Sequence, residues 1–127
     1  MSEVLLYNIE KQKELKIKML CHKFNIGFRT VEKEEFGYRI AYLLGLSADD
    51  VRKEGEDFSE EMLLLSDIGG GMLNLFLTQL IRQKTPVALK AVRTDTNMQF
   101  MSYGLYRELS AEREAIQRGV TAHKPEE

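Results

Sequence analysis

Between Ser66 and Asn97 the chain gathers the side chains whose types suit chemistry on a small molecule. Asp67 follows one apolar run, Arg93, Thr94, Asp95 and Asn97 follow another, and Gly69 and Lys90 stand between them. Two cations beside short hydroxyl, amide and glycine backbone groups fit an anionic or small polar ligand. The cations supply charge, threonine and asparagine orient the ligand, and glycine admits close approach of backbone N–H groups. Asp67, Gly69, Lys90, Arg93, Thr94, Asp95 and Asn97 are therefore the candidate ligand-binding set, with Thr96 beside them. The plainer expectation is that Asp, Thr and Asn at strand ends make turns and caps. Lys90 interrupts an otherwise apolar strand. Buried, it would need a partner or would have to be neutral; on an edge strand it discourages edge-to-edge pairing, and that explanation is preferred.

Other chemistries lack parts. Gly69 and Gly71 begin a G-x-G-x-x-G pattern whose third glycine is Asn74, and no P-loop Gly-Lys-Ser/Thr follows. A turn that allows close strand–helix packing is the favoured reading of Gly69, Gly70 and Gly71. Phosphotransfer on Asp67 would need acidic magnesium ligands after the first strand, where Tyr7 and Asn8 stand. Cys21 and His22 are adjacent on a helix and face different ways, and His123 lies far off in the tail. No catalytic set, no metal site and no cofactor is expected, and the reading leans away from an enzyme.

The elements that must position these residues begin with Met62 to Leu65, an apolar run suited to a strand covered on both faces. Leu73, Phe76, Leu77, Leu80 and Ile81 form a helical stripe of 3.6-residue period, and Val87 to Val92 makes the next strand. Upstream, Val4 to Tyr7 is a first strand, with Asn8 capping a helix from Ile9 to about Phe24 that buries Ile17, Leu20, Cys21 and Phe24. Phe28 to Val31 is a second strand. Phe36, Ile40, Leu43 and Leu44 give a helix stopped by Gly45 and Leu46 in the Schellman manner. Ser47 is expected to cap a short acidic helix ending near Gly55, inside a solvated connection. Ser102 to about Arg118 is a last helix with Leu105, Leu109 and Ile116 inward.

This alternation of strands and helices predicts an α/β three-layer sandwich with a four-stranded, mainly parallel sheet in the order 2-1-3-4; a split ferredoxin-like α+β sheet is the competitor. In an open parallel sheet, ligands bind beyond the carboxyl ends of the strands, which would place Asn8, Glu32, Asp67 and Arg93 on one edge. Residues 1–118 are read as one domain, with 119–127 a flexible polar tail.

Composition narrows the function classes. The formal charge of −2 argues against a general nucleic-acid binder. No apolar segment is long enough for a membrane span or has the form of a signal peptide, so no membrane partner and a cytoplasmic location are expected. With a single cysteine no intramolecular disulfide forms. On the first helix Leu15 and Met19 fall opposite the buried stripe: scattered surface apolar area, a pair lying under the last helix, or a contact with a protein partner or a second copy.

Several motifs in order resemble a bacterial family of short α/β proteins, a domain of unknown function. They are Val4-Leu-Leu-Tyr-Asn8, Tyr42-Leu-Leu-Gly-Leu46, Glu61-Met-Leu63, Ala88-Leu-Lys-Ala-Val92 with Thr94 and Thr96-Asn97, and Leu105-Tyr106, Glu108-Leu109 and Glu112-Arg113. The resemblance spans about Val4 to Glu114; the glycine run at Gly69 is not one of its features. It implies an α/β fold and carries over no activity and no catalytic residues. The expectation from all of this is a small non-catalytic binding or regulatory module acting through protein–protein contacts or self-association. The alternative is a small anionic-ligand-binding or enzymatic site at the carboxyl edge of the sheet.

Overall fold

Strands β1 (Glu3–Tyr7), β2 (Gly27–Val31), β3 (Met62–Ser66) and β4 (Leu89–Val92) form one sheet in the order β2-β1-β3-β4 in the computed structural model, which describes residues 1–119. The order is the expected one. β1 pairs with β2 and β3 with β4 in parallel, but β1 and β3 pair antiparallel, Leu5 opposite Leu64. The sheet is therefore two parallel strand–helix–strand halves running in opposite directions. This corrects the expectation of a single carboxyl edge. Tyr7 and Val31 end at one edge of the sheet, and Ser66 and Val92 at the other.

Helices α1 (Lys11–Lys23) and α3 (Gly70–Arg82) cover one face. There Val4, Leu6, Leu63 and Leu65 meet Ile17, Leu20, Cys21, Phe76 and Leu80. On the other face Leu5, Tyr7, Met62 and Leu64 pack under α2 (Ile40–Leu43), α4 (Ser102–Gly119) and the connection around Phe58. Both central strands are thus apolar on both sides, as their unbroken apolar runs require.

Local chemistry explains most boundaries. Residue 43 ends α2, and Gly45 at φ 76° follows, with N–H bonds from Leu46 to the Ala41 carbonyl and from Gly45 to the Tyr42 carbonyl. That is the predicted Schellman stop. The helix is shorter than its apolar stripe suggests, because residues 33–35 form a separate 3₁₀ turn. Helix α1 is capped by Glu10, whose carboxylate accepts from the Gln12 N–H, and not by Asn8. Asn8 sits at φ 57° and donates through Nδ2 to the carbonyls of Phe58 and Glu60. Gly70 and Gly71 belong to the first turn of α3, and a Cβ on any of Gly69 to Gly71 would meet nothing within 4 Å. Close strand–helix packing is therefore not what these glycines provide.

The acidic helix expected after Ser47 does not form. Residues 50–60 run without regular structure yet are tightly held, because a Cβ on Gly37 would lie 2.1 Å from the Lys53 carbonyl oxygen and one on Gly55 would lie 2.2 Å from the Tyr103 ring. Phe58 is inserted between Phe36 and Tyr106, stacking on both. Packing of Phe58 and the two glycines outweighs the helix propensity of the surrounding charged residues, of which Asp50, Arg52, Glu54 and Glu60 form ion pairs. Ile116, expected inward, is 62% exposed, since α4 outruns the sheet it covers. The predicted tail beyond residue 119 lies outside the described residues. No described helix is long and apolar enough to cross a membrane.

Candidate functional site

The carboxyl ends of β3 and β4 bring Asp67 and Arg93 to the same edge, as the sequence suggests, and most of their polar groups are engaged internally. Asp67 is exposed at φ 57° and accepts from the Met1 ammonium at 2.6 Å. That bond and charge, with a smaller contribution from Arg93, hold its carboxyl below the usual carboxylate range. Arg93 donates to the Met98 sulfur at 3.5 Å, while its Nε is buried without a partner.

Thr94 and Asn97 brace one another. The Thr94 N–H donates to Asn97 Oδ1, the Asn97 N–H to Thr94 Oγ1, and Asn97 Nδ2 to the Val92 carbonyl at 3.0 Å. Asn97 is buried in this brace, and Asp95 is exposed at its tip. Gly69 is the N-cap of α3 and offers no side-chain cap.

Lys90 stands apart from this group. It lies opposite Leu63, so it points to the α1/α3 face, and its Nζ donates to the Val87 carbonyl at 3.0 Å. β4 is an edge strand and Lys90 is exposed, in line with the preferred reading of that residue. Arg93, three residues on, takes the opposite face.

Leu15 and Met19 are 61% and 64% exposed on α1. They do not lie under α4, which packs on the far side of the sheet. Two side chains at i and i+4 make a small patch on α1.

Sequence reasoning missed the surface next to Lys90. A groove of about 620 Å³ runs between the second half of α3 and β4, walled by Leu77, Leu80, Ile81, Pro86 and Val87, with Lys84 and Lys90 on its rim. Ile81 is 78% exposed. The signal was present in the stripe of α3, where Leu77 and Ile81 continue the apolar row past the helix's deeply buried residues, Phe76 and Leu80. A four-residue edge strand is too short to cover that row.

A second cleft of about 680 Å³ opens between residues 56–59 and α4. Its floor is Phe58, Tyr103 and Tyr106, and its rim mixes Lys33 and Arg107 with Glu56, Asp57 and Glu114. Beside it Arg113 grips Glu60 with two bonds of 2.7 and 2.8 Å and Tyr106 donates at 2.9 Å, which pushes the Glu60 carboxyl down to about 2. Cys21 is buried on the inner stripe of α1, where desolvation pushes its thiol up to about 12, far from a nucleophile's range. Among the described residues no group of three or more His, Cys, Asp or Glu side chains is placed to hold a metal ion.

Residues 61–116, from the start of β3 into α4, match the model of a family described as a domain of unknown function (DUF3783). The motifs from Ala88 to Arg113 fall inside that segment. No curated protein and no solved structure matches the chain.

Proposed function

We propose that this protein is a small, non-catalytic binding module that works through protein–protein contact, with the α3/β4 groove as its docking surface; a cytoplasmic setting belongs to the same reading. The observation that carries it is an almost wholly apolar groove left open beside an edge strand, with Ile81 standing 78% exposed in its wall. An apolar wall this exposed, lining a groove and not standing singly, has a physical reason to be covered by a partner. The groove lies within residues 61–116, the segment that matches the family of unknown function.

The test is a photo-crosslinking residue placed at position 81 and, in separate proteins, at 15 and 116, irradiated in the cell that makes the protein. A discrete protein adduct at 81, absent at 116, is expected. Adducts at 15 alone would move the docking surface to Leu15 and Met19, and no adduct at any position would overturn the reading.

A second reading rests on Arg93, whose buried Nε lacks a partner at the edge that also carries Asp67. An anion at that edge would complete it. Phosphate titration followed by amide NMR should then shift Gly70 and Arg93 in the parent but not in Arg93→Met; equal shifts in both remove this reading.

A further inference from the structure

The groove lies alongside the open edge of the sheet. In the parallel β3–β4 ladder the N–H groups of Leu89 and Arg93 point to β3, bonding the carbonyls of Glu61 and Leu65. The alternate residues Lys90 and Val92 therefore turn their backbone groups outward. Asn97 covers the Val92 carbonyl, which leaves the N–H and C=O of Lys90 and the N–H of Val92 facing the edge. From the pleat beside them, side chains on the α3 side would drop onto Leu77, Ile81 and Val87.

The rim carries a second signal. Three helices end in the same Schellman arrangement, and the residue that must take positive φ is Asn25 after α1, Gly45 after α2 and Lys84 after α3, at φ 59°, 76° and 54°. Asparagine and glycine suit that conformation; lysine does not. After α3 the Lys84 N–H bonds the Ile81 carbonyl and the Thr85 N–H bonds the Leu80 carbonyl, so the geometry is enforced and the lysine is held at the groove mouth. With Lys90 it makes a pair of cations flanking an apolar floor.

Resting on the binding-module reading above, we infer that the groove takes an extended segment of a partner protein as a fifth strand beside β4, one whose apolar residues alternate with Asp or Glu. The apolar side chains seat on Leu77, Ile81 and Val87, and the carboxylates meet Lys84 and Lys90. A second copy pairing through the same edge would bring these lysines against each other, which disfavours it. The chain's own acidic stretch cannot fill the role. Asp50, Glu60 and Glu61 are tied to Arg39, Arg113 and Lys13 within the fold.

The test is amide NMR of the full chain titrated with an end-blocked peptide alternating Glu with Leu and Val, a version with Lys for Glu, and a version with proline at alternate positions. The acidic peptide is expected to bind at least tenfold tighter than the lysine one, with the largest shifts at Ile81, Lys90 and Val92, and proline should abolish binding. Lys84→Glu combined with Lys90→Glu should reverse the charge preference. Lys84→Gly should raise Tm while weakening the acidic peptide, a readout that separates binding from folding. Equal affinity for acidic and lysine peptides, or binding that survives proline, overturns the inference. So does the absence of shifts at these amides. A crosslink at position 81 in the cell would leave the binding-module reading standing in each of those cases, and the absence of an adduct at every position would remove both.

Discussion

The two faces of the sheet are built differently. The face under α2 and α4 is aromatic: Tyr7, Phe36, Phe58, Tyr103 and Tyr106 contact one another with ring centroids 4.3 to 6.1 Å apart. Two glycines let the chain pass at contact distance, and Glu60, Arg113 and Lys33 tie the connection down. The face under α1 and α3 is almost entirely aliphatic, its helix-start glycines touch nothing, and its apolar row runs out into an open groove. The cleft over the rings is edged by charged side chains, whereas the aliphatic side chains on two helices leave an apolar groove where the shortest strand fails to cover them. The place to look for a partner is where packing stops.

That contrast makes graded predictions. Phe58→Ala removes a ring stacked on both sides and should lose about 3–5 kcal/mol in urea unfolding, whereas Ile81→Ala in the groove should change stability by less than about 0.5 kcal/mol. Equal losses would mean the groove wall is part of the core. Gly37→Ala forces a Cβ against the Lys53 carbonyl and should cost about 3 kcal/mol, while Gly71→Ala, with open space and a helical backbone, should gain up to about 0.5 kcal/mol.

The Glu60 carboxyl gives a pH signature on the aromatic side. Its folded pKa of about 2 lies below the usual 4.5, so its contribution is complete above about 4.5 and is lost as pH falls toward 2. Arg113 and Glu60 are 34% and 37% exposed, so solvent screening limits the effect to under about 1 kcal/mol. Urea midpoints measured against pH should fall less steeply over that window in Glu60→Gln. Smallest of all, Lys90→Met should leave stability within about 0.5 kcal/mol of the parent, because the lysine is exposed on an edge; a gain well beyond that would mark a strained, retained group.

The polar edge was legible only in part. Asp67 and Arg93 could be placed together because both follow strands of one strand–helix–strand unit, which the apolar runs around α3 define. That Thr94 and Asn97 bond each other, and that Lys90 turns to the opposite face from Arg93, depends on where β4 begins and on the loop closing over Val92. Asn8 misled for a similar reason. An asparagine before a helix is a good cap in isolation, yet its amide was claimed by carbonyls 50 and 52 residues away.

The amino-acid sequence by itself determined the four strands, most of the helices, the Schellman stop at Gly45 and the strand order, because these follow from periodicity, local sterics and the preference for short right-handed crossovers. Tertiary structure alone decided that β1 and β3 run antiparallel, that residues 50–60 pack without a helix, and that an apolar groove remains at β4. Each of those depends on which distant surfaces meet, and a side chain carries no local record of the neighbour it will lack.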